Sequence, residues 1–136
     1  MSYTATSAVN QVLEAVIGMM NTLNLFASVT RGALPTGNGI TVELGPSSPF
    51  AMHMDKNTVV PLDVTINGKH GDLKTLSDTM NQIHWSLTRE RSYPDGAAWQ
   101  IVDISDATLP QVIGREANND WLMASSLSVK IYLRGE

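Results

Sequence analysis

Val60-Pro61-Leu62-Asp63-Val64-Thr65-Ile66-Asn67-Gly68-Lys69-His70-Gly71-Asp72-Leu73-Lys74-Thr75-Leu76 is the stretch whose periodicity sets the fold. Val60, Leu62, Val64 and Ile66 recur at every second residue, the spacing of a strand with one buried face. It predicts a strand over about Thr58 to Asn67. From Leu73 the spacing changes: Leu73, Leu76, Met80, Ile83 and Leu87 recur every three or four residues, predicting a helix from about Asp72 to Arg89. Asn67 to Gly71 reads as the turn between them. Asp72 suits the N-cap, because its carboxylate can accept an orphan backbone N–H. Arg89 and Arg91 stand where cations complement the helix dipole. Pro61 has no N–H to give a ladder, so the strand is irregular, or paired on one side only, near its start.

On the N-terminal side, Val9, Val12, Leu13, Val16, Ile17, Met20 and Leu23 predict a first helix over about Ser7 to Leu25. Thr6 or Ser7 can cap it and Asn24 is a stop signal. Ala15, Met19 and Leu25 widen its apolar stripe, and Glu14 is its one charge. A helix so apolar calls for contacts on more than one side. Its own sheet supplies one, and another subunit is expected to supply the other. Ala27 to Asn38 reads as a loop. Ile40, Val42 and Leu44 alternate as a short strand, stopped by Gly45-Pro46-Ser47-Ser48-Pro49. Phe50, Met52 and Met54 alternate over Phe50 to Asp55, a strand or an extended arm.

On the C-terminal side, Pro94-Asp95-Gly96 is a turn. Trp99 to Ser105 carries apolar residues on both faces, the mark of a strand inside the sheet. Asp106 to Asp120 has little repeating pattern and reads as irregular. In the last strand Trp121, Met123, Leu127, Val129, Ile131 and Leu133 oppose Ser126, Ser128, Lys130 and Tyr132. The order is α-β-(β)-β-α-β-β. It predicts one α+β domain over residues 1–136, with a mixed or antiparallel sheet of four to five strands and two helices packed on one face.

Composition narrows the functions open to such a domain. The chain has 136 residues, enough for one core, and no cysteine, which excludes disulfides, thiolate metal sites and a thiol nucleophile. Charged residues are 16% of the chain, against about 25% in typical soluble domains. That fits a surface partly covered by neighbours, since interface cores are depleted in charge. The net charge is −4 and the basic residues are scattered, so no patch exists to hold a phosphate backbone. The N-terminus has no basic stretch of the signal-peptide kind, and polar residues interrupt Val9 to Phe26, so no membrane span is expected.

The usual chemical motifs are missing. His53, His70 and His84 lie outside zinc-ligand spacing. Asp103 and Asp106 form a D-x-x-D pair without further ligands, and Asp106 reads as the start of a turn. Gly68-Lys69-His70-Gly71 lacks the first glycine and the hydroxyl of a phosphate loop. The serines form no legible triad. Tyr132 with Lys130 and Arg134 is too small a group for a base-stacking platform. No catalytic residue, metal or cofactor is therefore expected. The flexible thioethers of Met52 and Met54 suit an adaptable contact surface or the open side of the core.

Taken together, the apolar first helix, the strand Ile40-Thr41-Val42-Glu43-Leu44, the unit from Val60 into the Asp72–Arg89 helix, Trp99-Gln100-Ile101-Val102 and the terminal Leu127-Ser128-Val129-Lys130-Ile131-Tyr132-Leu133 come in a familiar order. Over nearly the whole chain the pattern resembles the tail terminator (tail completion) proteins of long-tailed bacteriophages, including chains called minor capsid proteins. Phe50–Asp55 and Asp106–Asp120 fall outside the match. The resemblance implies a virion protein of the tail or neck, assembled in the host cytoplasm as a homo-oligomeric, hexameric ring. Such a ring caps the tail tube protein and meets the head–tail connector protein. Genomic DNA would pass through it without specific binding, since acidic walls repel phosphate. Val9, Val12, Val16, Met19, Phe50, Met52, Met54, Ile113 and Trp121 are the expected interface residues. A head-closure or connector adaptor of the same particle, and a small-molecule-binding or enzymatic α+β domain, are the rival expectations.

Overall fold

A computed structural model of the chain describes residues 5–45, 58–96 and 99–133. Its elements are α1 (Ala5–Asn21), β1 (Val29–Arg31), β2 (Gly39–Leu44), β3 (Thr58–His70), α2 (Leu73–Leu87), β4 (Trp99–Arg115) and β5 (Trp121–Leu133). The change of period after Ile66 does produce a strand followed by a helix, but β3 continues to His70 through the residues expected to turn. Gly68 is a packing residue. A Cβ there would stand 2.7 Å from Leu76 Cδ1 and 3.0 Å from Met80 Sδ, so its absence lets α2 lie close on the sheet. Asp72 occupies the N-cap of α2 with extended backbone, and the Thr75 hydroxyl donates to its carboxylate at 2.6 Å.

The sheet is mixed, with strand order β1-β2-β3-β5-β4. Only β1 and β2 run parallel; the other neighbours are antiparallel. The β2–β3 ladder ends with Leu44 opposite Val64, and Gly45 N–H donates to the Asp63 carbonyl at 2.9 Å. Pro61 therefore lies beyond the described β2–β3 ladder and is opposite Lys130 of β5. β1 forms within the segment read as a loop. Asn21, the last residue of α1, holds it: Val29 N–H donates to Asn21 Oδ1 at 2.8 Å and Asn21 Nδ2 donates to the Val29 carbonyl at 3.3 Å. Asn24 then takes a positive φ of 59°, the reversal its residue type favours. The expected element at Phe50–Asp55 lies outside the described residues.

β4 corrects two expectations. It is an edge strand rather than an interior one, and it runs on through Asp106 to Arg115, where the sequence suggested irregular structure. Both follow from bulges. The pairing with β5 slips at Ile101/Asp103, Asp106/Thr108, Thr108/Gln111 and Val112/Gly114. Each slip inserts an extra residue and reverses the alternation. Trp99 and Ile101 point inward, the first slip expels Val102, and Ile104 returns to the core. Apolar residues on both faces thus record a bulge, and repeated slips erase the period-two signal from Asp106 onward. Pro110 fits there because an edge strand at a bulge does not need its N–H.

One core joins both helices to the inward sheet face. Val12, Leu13, Val16 and Met20 of α1 meet Val42, Leu62, Val64, Ile66, Leu127 and Val129, all fully buried. Burying each such side chain contributes roughly 1.5–3 kcal/mol. The outward side of α1 carries exposed Gln11, Glu14, Gly18 and Asn21. Its apolar width is therefore covered by its own chain: Ala15, Ile17 and Met19 are half-buried against the same core. The second subunit expected to cover it is not required. The opposite sheet face carries half-buried Asp63, Thr65, Asn67, Ala124, Ser126 and Ser128, with no helix of the described residues over it.

Candidate interaction surface and a buried histidine relay

His84 sits one turn beyond Met80 on the inward side of α2 and is only 4% exposed. Its Nδ1 lies 2.7 Å from Asp106 Oδ1 and its Nε2 lies 2.8 Å from Ser125 Oγ. With a neutral ring, Nδ1–H donates to Asp106 and the Ser125 hydroxyl donates to Nε2. These are the atoms of a Ser-His-Asp relay, a constellation that sequence reasoning missed. Its signal was a polar gap in β5, where Ser125 holds an inward position between Met123 and Leu127. Asp106 is thus a strand residue that fixes His84, not the start of a turn.

Ser125 and His84 are 3% and 4% exposed, whereas the Asp106 side chain is 43% exposed. What the arrangement does is satisfy buried polar atoms while pinning α2 to β4 and β5. A shallow groove of about 200 Å³ is lined by Thr65, Thr108, Gln111, Ala124, Ser125 and Ser126, so it borders the relay at Ser125, and others of about 360 and 370 Å³ flank Tyr93. Tyr93 donates its hydroxyl to the Leu87 carbonyl at 2.8 Å. Burial first, then nearby Asp103, pushes its phenol above the usual range. Among the described residues, no three His, Asp or Glu side chains are placed to hold a metal ion.

The exposed apolar surface is concentrated on β4. Val102, Leu109, Val112 and Ile113 are 42%, 63%, 46% and 57% exposed; the other large exposed apolar residue among those described is Trp85. Trp85 stacks under Arg89, whose guanidinium carbon is 3.4 Å from the ring centroid. The Pro94–Gly96 segment covers the first residues of the β4 edge: Ile101 N–H donates to the Pro94 carbonyl and Gly96 N–H to the Trp99 carbonyl. Tyr93 stands beside Asp103 and Ile104, and among the described residues no further strand pairs with the outer edge of β4.

Against that surface the expected contact residues divide. Val9, Val12 and Val16 are core residues, and Met19 is half-buried on the core. Phe50, Met52 and Met54 lie outside the described residues. Ile113 is on the open edge. Trp121, across the hairpin, is half-buried with the Arg115 guanidinium 4.2 Å over its ring. Leu109 and Val112 were missed, because Asp106–Asp120 was read without a strand. At the hairpin end, buried Lys69 pairs with Glu116 at 3.1 Å and holds the turn against β3. At the other sheet edge, Arg31 pairs with Glu43 at 3.1 Å. The Leu44 N–H, then Arg31, holds the Glu43 carboxyl below its ordinary value.

The architecture is a two-layer α+β domain with an open sheet edge. It is similar over 95% of both chains to a solved chain from the virion of a native gene transfer agent particle, with a TM-score of 0.58 at 13% sequence identity. That likeness is one of fold. No protein-family model and no curated protein matches the chain.

Proposed function

We propose that this chain is a structural subunit of a phage-like virion, forming a ring that caps the tail tube and joins it to the head–tail connector. The observation that carries the reading is the full-length likeness of fold to a virion chain. The open apolar edge at Leu109, Val112 and Ile113 supports it, since a free monomer seldom leaves such a strand bare. Genomic DNA passes such a ring without being held, in keeping with a net charge of −4.

Native mass measurement of the purified protein, alone and with a tail tube protein, tests this. A closed ring of one size, hexameric by the tail-terminator resemblance, and its capture on tube ends are the expected results. A chain that stays monomeric and ignores tube protein would end the proposal. Location at the capsid side of the connector in a purified particle would favour a head-closure adaptor.

A further inference from the structure

The chain contains two Asn-Gly steps, Asn38-Gly39 and Asn67-Gly68, and the fold sets them in opposite surroundings. Asn38 is exposed in the bend that leads into β2, and Gly39 is the first residue of that strand. Gly39 pairs with Lys69 at the end of the β2–β3 ladder, and the β1–β2 pairing starts only at Ile40. Asn67 and Gly68 lie inside β3 between two strands. Asn67 is opposite Thr41 and Ala124, and Gly68 is opposite Ile40 and Met123. Packing also requires the glycine at position 39. A Cβ there would stand 2.5 Å from Pro35 Cγ and 2.6 Å from Pro35 Cδ, so the proline ring fills the room a side chain would need.

We infer that Asn38 is a site of spontaneous deamidation in the folded protein, with water as the co-reactant, and that the sheet keeps Asn67 intact. The Gly39 amide nitrogen attacks Asn38 Cγ and closes a succinimide ring. Its proton passes to the Asn38 side-chain nitrogen, which leaves as ammonia. Water then opens the ring at either carbonyl, giving aspartate or isoaspartate. A following glycine favours the attack, because no Cβ crowds the nitrogen. Ring closure also needs the asparagine ψ to leave the extended value of a strand, about +135°. Asn38 makes that turn at the expense of one end pair of the ladder. Asn67 makes it only when the middle of the sheet opens, and such openings approach the cost of unfolding the whole domain. The product adds one negative charge to the net −4, at the entry to β2. In the isoaspartate form the main chain also gains a carbon there, which shifts Gly39 against Lys69.

Trypsin separates the two steps, because cleavage after Arg31, Lys56 and Lys69 places them on peptides 32–56 and 57–69. Asn38 carries the only side-chain amide of the first peptide. The purified protein is kept warm at mildly alkaline pH, folded or in urea, and its peptides are weighed over time. In the folded protein the amide-to-acid mass gain should appear on 32–56 at least about tenfold faster than at Asn67. In urea the two steps should convert at similar rates. Fragmentation distinguishes Asn67 from Asn57 on the second peptide, and labelling by an isoaspartyl methyltransferase reads the isoaspartate share. Asn38→Ser should remove the gain on 32–56 and keep the melting temperature, since the residue is exposed. Equal rates at Asn38 and Asn67 in the folded protein would overturn the inference. So would a folded protein whose Asn38 stays unconverted while the urea-unfolded chain reacts.

Discussion

The Nε2 of His84 and the hydroxyl of Ser125, 41 residues apart in sequence, lie 2.8 Å from each other in the core. Ser125→Ala leaves a buried ring nitrogen without its partner and should cost about 1–3 kcal/mol. His84→Ala breaks both bonds, opens a cavity, and should cost about 2–4 kcal/mol. Urea denaturation measures both. A fluorophosphonate probe should leave Ser125 unlabelled, because only 3% of the residue is exposed; labelling would reopen the catalytic reading.

Lys69 and Glu116 differ in exposure, 4% against 40% for their side chains, so removing either partner should have unequal effects. Glu116→Ala strands a buried ammonium and should cost about 2–4 kcal/mol. Lys69→Met leaves a carboxylate that water can reach and should cost under about 1.5 kcal/mol. Equal losses in a denaturant series would show that burial does not govern this pair.

Gly68→Ala forces a methyl group against Leu76 and Met80 and should cost about 1–3 kcal/mol. The atoms it meets are side-chain ends. Leu76→Ala should therefore relieve the strain, and the double variant should lose less than the two singles together. Strict additivity would remove the close approach of α2 as the reason for the glycine.

Acid should weaken the fold through two carboxylates. The Leu44 N–H and Arg31 hold Glu43 below its ordinary 4.5, and the Thr75 hydroxyl holds Asp72 below 3.8. The folded state binds these protons less readily than the unfolded chain. Their contribution is present above those ordinary values and is lost as pH falls through the lowered ones. Both groups lie near water, so the slope is shallow, and Glu43→Gln with Asp72→Asn should flatten it. Tyr93 works at the other end: with its phenol raised, stability holds below pH 10.0 and falls as pH climbs through the raised value. Melting temperature against pH, with Tyr93→Phe as the comparison, measures both limbs.

Where a strand kept one face inward without interruption, the sequence was enough. Leu62, Val64 and Ile66 in β3, Leu127, Val129 and Ile131 in β5, and the stripe of α2 are buried as their spacing requires. The misreadings lie where alternation is broken or a neighbour overrides local preference. Gly68 resembles a turn residue but serves a helix packed above it. Val102 beside Ile101 resembles an interior strand but marks a bulge. The edge residues Leu109 and Val112 vanished into the same broken pattern.

Periodicity, caps and composition determined by themselves that this chain builds two helices on one sheet, because burial of one face is a local property repeated along each element. Which strand stands at the edge, which apolar residues remain uncovered there, and that His84, Asp106 and Ser125 converge were decided only by tertiary structure. Strand order, ladder slips and contacts across dozens of residues leave no periodic trace in the chain, since each depends on what another segment brings alongside.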